Sequence, residues 1–293
     1  MRLEDYNPIP KCVVKKTKIV KSKFPIFDVH MHLGKLLMGD NYYDLYDLNK
    51  YMYILRKIGI YKIINLDGFY GEELNFITEF TKEYDGILNF RWIVLSKINS
   101  FNFEEDIKAQ IEKGLLKGAK GIKMWKDISL YKGIKVDDKR LDIIYELAAK
   151  YNLPILIHIG DPIAFFDSLD YKNERYEEIE ENPDWSFSNK EIYPSFDELI
   201  KSQDNMIKNN PDTTFIVAHV GSYSENLYYV DHMLNKYNNC YIDIAARISE
   251  LGRVPYIARK FFIKNQDKIL FGSDSTPLSY SHLINMIRFL ETD

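Results

Sequence analysis

Four of the six histidines in this 293-residue chain stand where an apolar run ends. His30 and His32 lie in FDVHMHLG, His158 ends LPILIHIGDP, and His219 ends TTFIVAHVGS; a late acidic residue, Asp274, follows in ILFGSDSTP. Residues i and i+2 of a strand project to the same side, so His30 and His32 face one direction together. Neutral imidazole nitrogens plus a carboxylate are a suitable donor set for a borderline divalent ion such as Zn2+. One at a time these residues mean little. A lone strand-end histidine is commonly a satisfied core or rim residue, and an Asp in a GSD turn commonly caps the next helix. The joint pattern is what points to a metal site. His232, inside YVDHMLNK, and His282 read instead as surface residues.

Bringing these side chains together requires a particular framework. Short β-rich runs occur at Phe24 to Val29, Ile60 to Leu66, Phe90 to Leu95, Ala119 to Met124, Leu153 to Ile159, Thr214 to Val220, Cys240 to Ile244 and Ile269 to Gly272. Between them lie amphipathic stretches such as EEDIKAQIEKGLLKG and DDKRLDIIYELAAKYN, with apolar residues at i, i+3 and i+4. Strands alternating with helices imply βαβ units and a parallel sheet. Eight units, with no Gly-rich phosphate turn after an early strand, predict an α/β fold of the (β/α)8 TIM-barrel type rather than an open doubly wound sheet. The carboxyl ends of barrel strands build the active site. Strands one, five, six and eight would therefore deliver His30, His32, His158, His219 and Asp274 to one place.

The rest of the chain reads as a single domain over 1–293. Residues 1–23 form an extension in which Lys11 to Lys23 alternates with Val and Ile, predicting a small hairpin at the barrel rim. The long acidic and aromatic stretch 161–194 follows strand five and would overlie the catalytic face as a lid, or stand as a solvated insertion. One short helix, from about Tyr280, is expected after strand eight. A hydrophobic fraction of 46%, a charged fraction of 28% and a net charge of -4 describe a soluble globular composition with no electrostatic case for nucleic acid. No apolar run is long enough for a membrane span, and no secretory signal is visible. Cys12 and Cys240 are the only cysteines, which favours a reducing, cytoplasmic setting, with Cys240 as a small buried hydrophobe. A small-molecule substrate is the expected partner, and a homo-oligomer is compatible with this reading.

Lys123 is the least ordinary residue. In AKGIKMW, if Ile122 and Met124 face the helices, Lys123 points into the barrel, where an unpaired charge is costly. It would then hold a substrate carboxylate or pair with Asp161 or Asp243; a register one residue different would send it outward. Arg247, after strand seven, has the fork to bind a carboxylate, or pairs with Asp243 or Glu250. Trp125 and Tyr223 are candidate pocket walls, although lone aromatics more often serve packing.

The order HxH, His, His and a late Asp resembles the amidohydrolase superfamily, and more narrowly its amidohydrolase-2 branch of decarboxylases, lactonases and many hydrolases. The similarity runs from about Lys23 to the end and includes GAKGIKMWKDISL, ENPDWSF, AHVGSYSENL and DIAARISELGR. The resemblance implies that His30, His32 and Asp274 bind one metal, with His158 as a further ligand, and that His219 acts on substrate or water or ligates a second ion. Some branches carboxylate a strand-four lysine to bridge two metals, which would make Lys123 a ligand; many members of this branch have no lysine there. Members also continue well past the LETD segment. One or two ions are implied, Zn2+ first, with Mn2+ or Fe2+ as alternatives. The implied reaction is hydrolysis of a lactone, ester or amide in a small carboxylated substrate, with Asp274 moving the proton and His219 bonding water or oxyanion. A decarboxylase or hydratase would use the same ligands, and a metal-bearing binding protein without turnover is a further, distant reading.

Overall fold

The computed structural model describes residues 5, 6, 8, 9, 11, 13, 18–67, 73–131 and 133–291. Eight parallel strands follow one another in chain order. They are β1 (Ile26–Met31), β2 (Ile60–Asn65), β3 in two pieces (Ile87–Asn89 and Arg91–Trp92), β4 (Ile122–Met124), β5 (Ile155–Ile157), β6 (Phe215–Val217), β7 (Cys240–Asp243) and β8 (Ile269–Leu270). Each pairs in parallel with the next, β3 taking β2 on its first piece and β4 on its second. The ring closes between β8 and β1. Val29 N–H donates to Phe271 O at 2.9 Å, Asp274 N–H to His30 O at 2.8 Å and His32 N–H to Ser275 O at 2.9 Å. Among the described residues, the longer helices alternate with the strands: α1 (Leu48–Ile58), α2 (Glu73–Thr81), α3 (Phe103–Leu116), α4 (Asp142–Lys150), α5 (Phe196–Asn209), α6 (Leu227–Lys236), α7 (Pro255–Asn265) and α8 (Leu283–Glu291). The molecule is a TIM-type α/β barrel.

Side-chain alternation decides what faces inward. Leu156, Ile216 and Tyr241 pair across β5, β6 and β7 and belong to the barrel-interior cluster with Val29, Ile64, Leu66 and Phe90. Their neighbours Ile155, Ile157, Phe215, Val217, Cys240 and Ile242 belong to the cluster between strands and helices. Lys123 is in register with Leu156, whereas Ile122 and Met124 join the outer cluster. Lys123 therefore points into the barrel, and the outward register is excluded. The helices bury matching stripes: α3 turns Phe103, Ile107, Ile111 and Gly114 inward. A capping box between Ser195 and Glu198 starts α5.

Some expectations shift. The third strand begins at Ile87, three residues before the expected start, and ends at Trp92. Much of the expected N-terminal hairpin lies outside the described residues, and among those described before Ile26 none is in a strand. The stretch 161–194 is packed rather than loose. It carries a helix at Tyr176–Glu181 and short 3-10 turns at Ile163–Phe166 and Pro183–Trp185. It buries Phe165, Phe166, Ile179 and Phe187 in the main core. Arg175 forms an ion pair with the buried Glu250, and Ile163 N–H donates to Glu225 Oε1 at 2.9 Å. No helix among the described residues is long and apolar enough to cross a membrane.

Candidate metal centre and active site

The carboxyl ends of β1, β6, β7 and β8 are built around one carboxylate that was expected only as a partner for Lys123 or Arg247. Asp243, fully buried at the end of β7, accepts from His30 Nδ1 at 2.8 Å through Oδ2. Its Oδ1 accepts from His219 N–H at 2.9 Å and Ala245 N–H at 3.1 Å. One side chain thus orients a histidine of β1 and anchors the turn that carries a histidine of β6. That turn is strained: His219 and Val220 have φ of 58° and 58°, in the left-handed region that a β-branched residue rarely enters. Ala246 and Asp274 also have φ of 52° and 60°. Strand ends β6, β7 and β8 each hold such a residue, so the chain turns sharply where it presents its polar groups. Gly272 permits the closure, because a Cβ there would lie 2.9 Å from Asp243 Cβ and 3.0 Å from His30 Cβ.

The proton positions follow from the partners. Asp243 is a carboxylate and accepts, so His30 carries its proton on Nδ1 and its Nε2 is bare. That Nε2 faces Asp274 Oδ1 at 3.4 Å, and His32 Nε2 faces the same oxygen at 3.2 Å. His219 Nδ1 meets the Ala245 carbonyl at 2.9 Å, so it donates there and Nε2 is bare. His158 Nε2 lies 3.3 Å from Asp161 Oδ1, and its Nδ1 lies 3.3 Å from His219 Nε2. A bare Nε2 beside a carboxylate would be repelled, so His158 carries its proton on Nε2 and also turns a lone pair inward. The result is a surplus of electron pairs. His30 Nε2, His219 Nε2 and Asp274 Oδ1 converge with too few protons among them, and His158 Nδ1 adjoins His219 Nε2. Ligand atoms of His30, His219 and Asp274 all lie within 4.8 Å of one another. A divalent cation satisfies that set, and the residues fit one.

The charge states agree. Burial lowers the pKa of His30 and of His219, the latter well below the ordinary value, and pushes His158 down to about 4. Burial would raise Asp274, but His30, His32 and His219 overcome it and hold the carboxylate well below its usual range. Neutral imidazoles and an ionised carboxylate are the forms a metal needs.

Lys123 is 1% exposed, and its Nζ has no hydrogen-bond partner among the described residues. Burial lowers its pKa to about 8, against the pull of Asp274, Asp243 and Asp67. The anticipated partners are taken: Asp161 is engaged by Lys126, and Asp243 by His30. Arg247 is likewise bonded to neither Asp243 nor Glu250; its Nη1 donates to Ala246 O at 2.8 Å. Lys123, Arg247 and Trp125 line a cavity of about 360 Å3 together with His30, His32, His158, His219 and Asp274. Tyr223 does not line it; its ring packs against Phe196 at 4.7 Å and Tyr229 at 5.5 Å. His232 is exposed as expected, whereas His282 is half-buried, with Nε2 3.3 Å from Ser273 O. Sequence reasoning did not single out several lining residues, among them Leu36, Leu37, Lys126, Phe165, Arg175 and Trp185, although the last three fall in the 161–194 stretch expected over this face.

A parallel barrel with polar groups gathered at its strand ends defines the class of TIM-barrel enzymes. Within that class the chain belongs to the amidohydrolase family: the Amidohydro_2 family model matches residues 65–288. His30 and His32 precede the matched span. It is therefore an enzyme of a metal-dependent superfamily. No curated protein matches the sequence. Among solved structures, an uncharacterised TIM-barrel protein from Bordetella bronchiseptica is 14% identical, with 92% of each chain covered and a TM-score of 0.61. A 2,6-dihydroxybenzoate decarboxylase from Rhizobium is 14% identical, covering 90% of this chain and 91% of its own, with a TM-score of 0.57. A zinc-bound amidohydrolase from Burkholderia multivorans is 11% identical, with 92% of each chain covered and a TM-score of 0.57. At these identities the likeness is one of fold.

Proposed function

We propose that the chain is a metal-dependent hydrolase that cleaves a C–O or C–N bond, in a lactone, ester or amide, of a small carboxylated substrate. One observation carries this reading. Asp274 Oδ1 faces His30 and His32, yet its side chain is 28% exposed while theirs are 1% and 5%. Of the donors lining the cavity the carboxylate has the most exposed side chain, and it meets both the histidines and the open space. It is therefore placed to take a proton from water and return it to the leaving group. When bound, the ion would lower the pKa of water and polarise the scissile carbonyl. His30, His32, His158 and Asp274 would hold it, with His219 as a ligand or as a donor to the developing oxyanion. The zinc in the Burkholderia protein makes Zn2+ the first choice, with Mn2+ or Fe2+ as alternatives. Unmodified Lys123 is a cation at the pocket wall and disfavours a second ion. The setting proposed is cytoplasmic.

The second reading, a decarboxylase or hydratase, is supported by the Rhizobium decarboxylase, whose fold matches over 90% of this chain. Incubating metal-quantified protein with lactones, esters, amides and hydroxy-aromatic acids decides between them. Acid release without carbon dioxide supports hydrolysis. Carbon dioxide from an acid substrate replaces hydrolase by lyase. Protein that neither carries metal nor takes it up removes both.

A further inference from the structure

The cavity contains two kinds of cation. Lys126 and Arg175 are neutralised by their own chain: Lys126 by Asp161, and Arg175 by Glu178 and Glu250. Lys123 and Arg247 have no hydrogen-bonded carboxylate among the described residues, although Asp274, Asp243 and Asp67 attract Lys123 and Glu250 attracts Arg247. Among the described residues the ammonium of Lys123 uses none of its donors, and the guanidinium of Arg247 has a single bond, to the backbone carbonyl of Ala246. Glu250 lies near Arg247, but its oxygens are occupied by Arg175 and by Ser249 Oγ at 2.9 Å. A fully buried ammonium without acceptors costs stability, and a sequence free to place a methionine there would gain by it. The two residues also stand apart. Lys123 is on β4 and Arg247 follows β7, three strands further round the ring. Lys123 acts electrostatically on His30 and His158, and Arg247 on His219. They flank the histidine cluster from two sides.

We infer that the substrate is a dicarboxylate, with one carboxylate held by Lys123 and the other by Arg247, so that the bond between them crosses the metal donors. The inference rests on the metal-enzyme reading above and adds the number and placement of the acidic groups. Uncommitted donors on both sides call for acceptors on both ends of the ligand. A monocarboxylate would leave one cation buried without a partner, and that difference is the basis of selectivity. Lys123 contributes a point charge and Arg247 a planar fork.

The test uses the full-length protein as purified, with metal content measured on the same sample. Calorimetric titration compares succinate, glutarate and adipate with butyrate. At least one diacid is expected to bind about tenfold or more tightly than butyrate, a difference of about 1.4 kcal/mol. Lys123→Met and Arg247→Met are each expected to erase that preference without emptying the metal site. Lys123→Met should also raise Tm in the absence of ligand, because it removes an unpartnered buried charge; a purely structural lysine would give the opposite shift. Equal affinity for butyrate and the diacids overturns the inference, as does a preference that survives both substitutions. A carboxylated Lys123 in the native intact mass overturns it too, since a carbamate is an acceptor. A metal-free protein would defeat the functional reading itself, whereas a metal-loaded protein without diacid preference defeats only this inference.

Discussion

The two sides of the cavity are built in opposite ways. On the histidine side most rings have a partner behind them: Asp243 holds His30 and the His219 turn, Ala245 O fixes the His219 ring, and Asp161 stands behind His158, while His32 Nδ1 has no hydrogen-bond partner among the described residues. On the cationic side, among the described residues, Lys123 has no hydrogen-bond partner and Arg247 has one backbone carbonyl. The first arrangement fixes lone pairs in space and suits an ion, which tolerates little misplacement of its ligands. The second leaves strong donors free and suits a ligand that comes and goes. Preorganisation and availability are separate requirements, and this barrel meets each on a different wall.

The largest effects should come from the histidine side. His30→Ala removes a ligand and is expected to lose metal and activity together. Asp274→Asn keeps the shape and one acceptor oxygen but cannot take up a proton. It should retain much of its metal and lose at least about two orders of magnitude in kcat. Metal content and kcat measured side by side check both. Asp274→Asn activity within about threefold of the parent would leave this residue as a turn cap only and end the proposed mechanism.

A smaller effect is expected one step behind the ligands. Asp243→Ala leaves all proposed ligands in place but frees the His30 ring and the strained turn at His219. Loss of such a supporting carboxylate typically costs about 10–100-fold in metal affinity. Competition with a chromophoric chelator measures it. Unchanged affinity would mean that the strand ends are held by the barrel alone, and the contrast between the two walls would lose its basis.

Smaller still is the effect of loosening the roof. Glu250→Gln removes the charge that ties Arg175, and with it the 161–194 stretch, to the segment after β7. KM on an identified substrate should rise by less than about tenfold, since Phe165, Phe166, Ile179 and Phe187 still pack in the core. Limited trypsin digestion should cut faster after Lys172 or Arg175. If neither KM nor cleavage changes, the roof is held by its aromatic residues and Arg175 is ornamental to it.

Much of this was legible beforehand because it is periodic. Apolar alternation located the strands and offered an inward Lys123 between Ile122 and Met124, but left the outward register open until the pairing with β5 decided it. The third strand was misplaced because the apolar run Phe90 to Leu95 continues past the point where pairing stops, at Trp92. Contacts that join distant parts of the chain were not legible. Asp243 meets His30 across 213 residues and Arg175 meets Glu250 across 75, and no local spacing encodes either. Tyr223 misled for the same reason: an aromatic after a strand end looks alike whether it faces the cavity or packs on Phe196.

The smallest effect concerns Cys240, which lies on the outer face of β7, away from both walls, in the layer between strands and helices. It is fully buried, and burial pushes its thiol up to about 12 from an ordinary 9.0. Only the thiolate attacks an alkylating reagent, so the native residue should be inert at pH 8, whatever Cys12 does. Peptide mapping after iodoacetamide should find Cys240 unmodified in native protein and fully modified in guanidinium chloride. The sign of the linked stability follows from the same shift. Between pH 9 and 12 the unfolded thiol has released its proton and the folded one has not. The folded state therefore binds more protons, and stability falls as pH rises through that interval. Cys240→Ala removes this contribution, so its Tm should depend less steeply on pH above 9 than the parent's, beside a constant loss from the cavity it leaves. Rapid native alkylation of Cys240 would show that β7 opens locally. Asp243 lies three residues further along the same strand, so the rigidity assigned to the histidine wall would then have to be withdrawn.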